Sequence, residues 1–336
     1  MIKKFLALCD GEESYLRHMA DYMEKKGGHP FAIRAFTNKE QLKKFTEKND
    51  TELLLIAENA YEEKLQDLPI AHIMVLNESG NQVGGDMKNI NKYQSSEVIF
   101  RTVMENYMEG VKEISPRIAI GNRMKIIGCY SPVGRCLQTT FALSMGQLLA
   151  RNHKTLYLNF ENYSGFGQLL PGEFTMDIMD VLYYFDCEKD KLSYRLGGMM
   201  QSLNGLDYIP PAFFYKDLEE IDSSHWMGLF KEIEMTANYE YLILDLSAQV
   251  KGLLDILREC FRVFTIMKED MFAKAKMRQY ESILQSMNYG DVALKTKKWV
   301  LPEFYKLPSK LDQLTNGELA AYIKKIIEEE VYGYGG

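Results

Sequence analysis

Short apolar runs alternate with helical patterns along the whole chain, and this alternation limits the possible folds more than any other feature. In residues 1–100 the runs are Lys4–Leu8, Phe31–Phe36, Leu53–Ala57 and His72–Leu76, with a weaker fifth at Asn89–Tyr93. Between them lie stretches such as EESYLRHMADYMEKKG, which ends in lysines and glycine as a helix C-terminus prefers. Strands separated by helices pair in parallel through crossovers, so the spacing predicts a doubly wound α/β sheet. A helix over 95–112 then runs into a loop broken by Pro116, which places a linker at 113–123. A second series follows, with strands expected at Met124–Cys129, Thr155–Asn159, Leu206–Ile209, Tyr241–Asp245, Arg262–Met267 and Lys298–Leu301. The intervening 167–205 and 211–237 read as mostly helical, and the tail reads as a last helix. The expected class is α/β with two doubly wound domains, 1–112 and 124–336, each with a mostly parallel sheet. No internal repeat is visible.

Composition narrows the function. At 336 residues the chain exceeds the size at which single cores stop growing, about 250–300 residues, which fits two domains. A net charge of −7 argues against a general affinity for nucleic acid. The five cysteines (Cys9, Cys129, Cys136, Cys187, Cys260) stand singly with no CxxC spacing, which supports neither zinc ligation nor a disulfide framework and suits a reducing compartment. The N-terminus lacks the long apolar core of a signal peptide, and no apolar run approaches the ~18 residues of a membrane span. A cytoplasmic location is expected. The histidines show no ligand spacing, and no G-x-S-x-G elbow is present.

The segment GCYSPVGRCLQTTFAL (128–143) carries the chemistry. It follows the run Met124–Ile127 and opens what reads as a long amphipathic helix. Strand, tight glycine-containing loop, paired threonines and helix are the parts of a phosphate-binding loop, in which backbone N–H groups and a helix N-terminus surround an anion. Such a loop also needs a lysine for the β and γ phosphates and a hydroxyl for magnesium. Thr139 and Thr140 supply hydroxyls and Gly134 one glycine, but Gln138 stands where the lysine belongs, and Arg135 and Leu137 replace two glycines. A plain strand-to-helix turn is the alternative reading.

The longer stretch MKIIGCYSPVGRCLQTTFALSMGQLLARNHKTLYLNFENYSGF resembles the first βαβ unit of the MinD/ParA group of deviant Walker ATPases. In that resemblance Val133 takes the place of the signature lysine, Gln138 that of the phosphate-loop lysine, and Asn159 and Glu161 the two acidic positions after the next strand. YEYLILDLSA resembles the Walker B strand, with Asp245 at its end. The resemblance implies ATP with Mg²⁺ held by Val133, Gly134, Arg135, Cys136, Leu137, Gln138, Thr139, Thr140, Glu161 and Asp245, with Thr139 and Asp245 on the metal. Loss of both lysines removes the cations that neutralise phosphate in the transition state, so no catalytic residue is assigned and the expected activity is that of a pseudo-ATPase.

Residues 1–112 resemble a response-regulator receiver. LALCDGEE offers Asp10, Glu12 and Glu13, and NINKYQS offers Lys92, but ELLLIAENA ends in Ala57 and Glu58 where the phosphoacceptor aspartate belongs. Alanine cannot accept a phosphoryl group. Two readings of the remnants exist. Glu58 could stand for the phosphorylated state, or it caps a turn while Lys92 lies on a solvated edge, and the second is the expectation.

A pseudo-receiver followed by a degenerate MinD/ParA-like domain is the arrangement of the TadZ/CpaE family of Flp-type (tight adherence) pilus systems, which the chain resembles over nearly its whole length. The resemblance implies a localisation and recruitment factor that brings in the pilus secretion ATPase and other pilus assembly proteins. It also implies recruitment to the cell pole or to a membrane-associated secretion complex, and a homodimer through the ATPase-like domain. Neither nucleic acid nor direct membrane insertion is expected; the tail KKIIEEEVYGYGG is more acidic than basic. The dimer is expected to use residues 131–138, 159–166 and 245–252, with Phe166 in the aromatic segment NYSGFGQLL as a contact. An active MinD/ParA-type ATPase cycling between monomer and dimer, and a response-regulator-like signalling protein, are the alternatives.

Overall fold

The structure, a computed structural model, describes residues 4–26, 29, 31–85, 87–110, 123–170, 174–189 and 192–333. The linker expected at 113–123 falls outside them except for Arg123. The chain forms two compact units. One comprises Met1–Ala119, Tyr184–Met199 and Thr236–Asn238, and the other Ile120–Tyr183, Met200–Met235 and Tyr239–Gly336.

The first unit contains β1 (Phe5–Cys9), α1 (Glu13–Lys25), β2 (Ala32–Phe36), α2 (Lys39–Thr46), β3 (Thr51–Ala57), β4 (Ile70–Asn77), β5 (Lys88–Asn91) and α3 (Ser96–Gly110). Its five strands are all parallel in the order β2-β1-β3-β4-β5, the flavodoxin-like order of a doubly wound sheet. Strands β1 and β3 are buried from end to end, because helices cover both faces of a parallel sheet. The period of two is visible in the packing. Leu6, Leu8, Leu53 and Leu55 join the cluster on one face, and Ala7, Cys9, Leu54 and Ile56 the cluster on the other.

From residue 125 the elements are β6 (Lys125–Cys129), α4 (Gln138–Leu149), β7 (Thr155–Phe160), α5 (Phe166–Leu169), α6 (Ile178–Cys187), α7 (Leu192–Met199), β8 (Gln201–Leu203), β9 (Leu206–Tyr208), α8 (Tyr215–Glu219) and α9 (Ser223–Thr236). Then come β10 (Tyr241–Leu246), α10 (Leu253–Glu259), β11 (Arg262–Met267), α11 (Met271–Ser286), α12 (Gly290–Lys295), β12 (Thr296–Val300) and α13 (Gly317–Glu330). The end of α6 and all of α7 group with the first unit. The seven strands run in the order β12-β11-β6-β10-β7-β9-β8, all parallel except β8, which pairs antiparallel with β9. The expected helical stretch 167–205 therefore ends in a strand. Asn204 and Gly205, with φ of 51° and 84°, form a two-residue hairpin turn that folds it back on β9.

Helix α4 is buried on nearly every side rather than amphipathic. It lies in the main cluster of this unit together with residues of α13, so it presents no wet face. Its polar groups are satisfied locally: the Ser144 hydroxyl donates to the Leu314 carbonyl at 2.8 Å and the Gln147 amide to that of Leu311 at 3.0 Å.

Phe166, expected as a surface contact, is a core residue. Gly165 takes a left-handed φ of 71° immediately before it and starts the short α5, with Phe166 as its first residue. The ring is only 1% exposed, stacked on Tyr157 with 6.0 Å between centroids and 9° between planes, and meets Tyr208 edge-on at 5.7 Å. Phe166→Ala should lower stability by about 3–5 kcal/mol. Phe166→Asp should lower it further, because the carboxylate would be buried without a partner. Urea unfolding would read both, and an unchanged midpoint for either variant would contradict this packing.

Candidate functional site

The loop between β6 and α4 bends through left-handed backbone at Gly134 (φ 69°), Arg135 (50°) and Leu137 (68°). Two of these three residues lack the freedom of glycine, so the chain holds the shape of a glycine-rich loop at a steric cost. Leu137 is the N-cap of α4 and has no side-chain acceptor to offer, leaving the first N–H groups of the helix without a side-chain cap. Above the loop lies a cleft of ≈ 780 Å³ lined by Tyr130–Thr140, Glu161, Tyr163, Leu246–Ala248 and Lys276. It opens at the C-terminal ends of the central strands, where α/β sheets place ligands. Val133, Gly134, Arg135, Cys136, Leu137, Gln138, Thr139, Thr140 and Glu161 all line it; Asp245 is beneath.

Gln138 points inward. Its Nε2 donates to Asp245 Oδ1 at 2.7 Å, to the Leu246 carbonyl at 3.0 Å and to Glu161 Oε1 at 3.3 Å. The other oxygen of Asp245 accepts from the Tyr157 hydroxyl at 2.9 Å and from Asn159 Nδ2 at 3.3 Å. Asn159 Nδ2 also donates to Tyr157 at 2.8 Å, while its oxygen accepts from the Glu161 backbone N–H at 2.9 Å. Asp245 is fully buried. Burial raises its pKa, and bonds from Gln138, Thr139 and Tyr157 oppose that rise. Glu161, half-buried beside this carboxylate, is raised to about 7, first by burial and then by the charge of Asp245.

These residues do not suit magnesium. Asp245 already accepts from Gln138 on one oxygen and from Tyr157 and Asn159 on the other, and the carboxylate has no exposed surface on which a hydrated cation could settle. Among the described residues no cluster of three or more His, Cys, Asp or Glu is arranged to hold a metal ion. A polyphosphate suits the cleft better, since the left-handed loop and the uncapped helix N-terminus remain.

In the first unit Lys92 is not on a solvated edge. It follows β5, is 4% exposed, and its Nζ meets Asp10 Oδ2 at 2.8 Å, Glu78 Oε1 at 2.7 Å and Glu12 Oε2 at 3.5 Å. Three strand ends converge there: Asp10 after β1, Glu78 after β4 and Lys92 after β5. Burial would lower the lysine pKa, but the bonds to Asp10 and Glu78 outweigh it and the ammonium is held charged. Glu58 caps a turn as expected. Its carboxylate accepts from the N–H groups of Glu78 and Ser79 at 2.7 and 2.8 Å and from the Ser79 hydroxyl at 2.5 Å. Ala57, fully buried, ends β3. Glu78 and Tyr157 were not singled out from sequence. Each becomes visible as a participant only when the strand ends are brought together.

No family model matches the chain, and no curated protein matches it. Among solved structures, a plasmid partition protein from Borrelia burgdorferi aligns at 16% identity over 63% of this chain and 99% of its own, with a TM-score of 0.45. A ParA family ATPase from Chlorobium tepidum aligns at 15% over 48% and 68%, with a TM-score of 0.41. A McdA–ATP complex from Cyanothece aligns at 15% over 63% and 81%, with a TM-score of 0.42. Likenesses this loose carry no argument of their own; the α/β class rests on the strand orders above. No helix among the described residues is long and apolar enough to cross a membrane.

Glu161 makes stability depend on pH. A carboxyl whose folded pKa is raised stabilises the fold while protonated, and that contribution is lost as pH rises towards about 7. Glu161→Gln should therefore melt higher than the unsubstituted protein at pH 8, with the difference closing near pH 4.5. A lower melting temperature at pH 8 would contradict the buried-carboxyl assignment.

Proposed function

We propose that this protein is a non-catalytic localisation and recruitment factor for a Flp-type pilus secretion apparatus. Residues 124–336 act as a pseudo-ATPase platform with at most weak affinity for nucleotide. The receiver-like residues 1–112 serve as a docking surface for the secretion ATPase and other assembly proteins, on the strength of the sequence resemblance. One observation carries the non-catalytic part: the amide of Gln138, where a lysine would neutralise phosphate, is spent on Asp245. Without that lysine the charge that builds on the reacting phosphoryl group in the transition state loses its main neutralising cation.

Phosphate release from ATP with magnesium should stay at background, and Asp245→Ala should leave it there. Turnover at an ordinary ATPase rate, abolished by that substitution, would overturn the reading.

The dimer belongs to the same proposal: two copies meet across residues 131–138, 159–166 and 245–252. Tyr163, 86% exposed, replaces Phe166 as the aromatic contact. Among the described residues its ring pairs with that of Tyr215, at 5.7 Å. A stable dimer buries at least about 1,000 Å² in total. The protein should sediment as a dimer at tens of micromolar, and Tyr163→Arg should yield folded monomers. A monomeric unsubstituted protein would remove this part of the proposal.

A further inference from the structure

After β9 the chain reads Pro210-Pro211-Ala212-Phe213-Phe214 and runs straight into α8. The side chain of Phe213 is 100% exposed. A lone apolar residue in water needs no explanation, but this one stands on a fixed loop and belongs to a patch. Its own N–H donates to Asp177 Oδ2 at 3.0 Å, and the Pro210 carbonyl accepts from the Ile178 N–H at 3.0 Å. The two prolines restrict the backbone between those ties. On the far side the Phe214 carbonyl accepts from the Asp217 N–H at 3.1 Å, and Leu218 is buried. Phe214, itself exposed, meets Tyr215 with 5.4 Å between centroids, and Tyr215 meets Tyr163. The flank is acidic. Residues 210–222 hold Asp217, Glu219, Glu220 and Asp222 against Lys216 alone. Asp222 pairs with Lys251 at 2.6 Å, whereas Asp217, Glu219 and Glu220 have no ion-pair partner among the described residues.

Shape and charge together select the occupant. A ring with no part of it covered is convex, so it is seated by a concavity in its partner and offers no groove for an extended peptide. Aromatic anchors that fill pockets carry much of the energy of protein interfaces, and a loop already tied in place loses little freedom on docking. The unpaired carboxylates beside the anchor favour a pocket bordered by cations. They repel an anionic membrane surface, and a second copy would bring the same acidic flank and a net charge of −7. We propose that Phe213 anchors a docking surface for a different, folded protein that presents an apolar pocket bordered by lysine or arginine. The surface uses neither the loop between β6 and α4 nor residues 1–112, so its failure would leave the pseudo-ATPase reading in place.

Amino-β-cyclodextrin, an apolar cup ringed by ammonium groups, reproduces that pocket and serves as the probe in calorimetry on the full-length protein. It should bind more tightly than neutral β-cyclodextrin, and the sulfated form should bind least. Phe213→Ala should remove the tightest site, and Glu219→Gln with Glu220→Gln should weaken it about threefold at low salt. Tyr305→Ala, at another exposed ring, should leave that site unchanged. Circular dichroism melts should be unaltered in all these variants, and Phe213→Ala should sediment as the unsubstituted protein does. In the cells that make the protein, benzoylphenylalanine in place of Phe213 should crosslink on irradiation to a different protein. The yield should fall when Glu219 and Glu220 are both changed to Gln. Cyclodextrin binding indifferent to Phe213 or to the sign of the rim charge would overturn the inference. So would crosslinking only to lipid or to a second copy, no crosslinking, a yield indifferent to the two carboxylates, or conversion of Phe213→Ala to a different oligomeric state.

Discussion

The bond between the Gln138 amide and the Asp245 carboxylate is the interaction on which the second unit depends. A carboxylate with no exposed surface must be fully hydrogen-bonded or protonated. Its donors come from the start of α4 and from β7, so satisfying it fixes the ends of adjacent elements around β10. Tyr157 carries the arrangement further, since the ring whose hydroxyl bonds Asp245 also stacks on Phe166. Loop shape, strand ends and the neighbouring aromatic core are therefore one connected structure. Removing Gln138 would leave a buried acceptor short of its best donor, at a cost of about 1–3 kcal/mol.

The first unit solves a similar problem with a charge of its own. Asp10, Glu12 and Glu78 would repel one another at the edge of the sheet, and the ammonium of Lys92 stands among them. Glu58 then ties the end of β3 to the turn after β4. Each unit thus has, at the end of its sheet where ligands usually bind, carboxylates held by its own side chains: by the Lys92 ammonium in the first and by hydrogen bonds from uncharged donors in the second.

Much of the architecture was legible because parallel strands buried on both faces are written as short apolar runs. β3 (TELLLIA) and β10 (YLILDL) are examples. Strand β8 was missed although a signal existed: Asn204-Gly205 is a hairpin turn sequence, but its strands have only three residues each. Phe166 was misplaced because glycines on either side read as a surface loop, whereas Gly165 turns the chain so that the ring enters the core. The loop 133–140 was legible as a departure from a known pattern, but where the Gln138 side chain would point was not. Its partners lie 23 and 107 residues away, and no local pattern records them. Lys92 is the same kind of case. A lysine at a strand end is ordinarily solvated, and only the convergence of three strand ends buries it.

The left-handed Arg135 and Leu137 have a further consequence for kinetics. A glycine-rich loop samples many shapes, and a ligand must wait for, or induce, the right one. Here two residues without the freedom of glycine hold left-handed backbone, so the strain is already present in the free protein. Little ordering entropy remains to be lost on association, which is the cost preorganisation reduces. Encounter of a ligand with this loop would then be limited by diffusion rather than by loop closure.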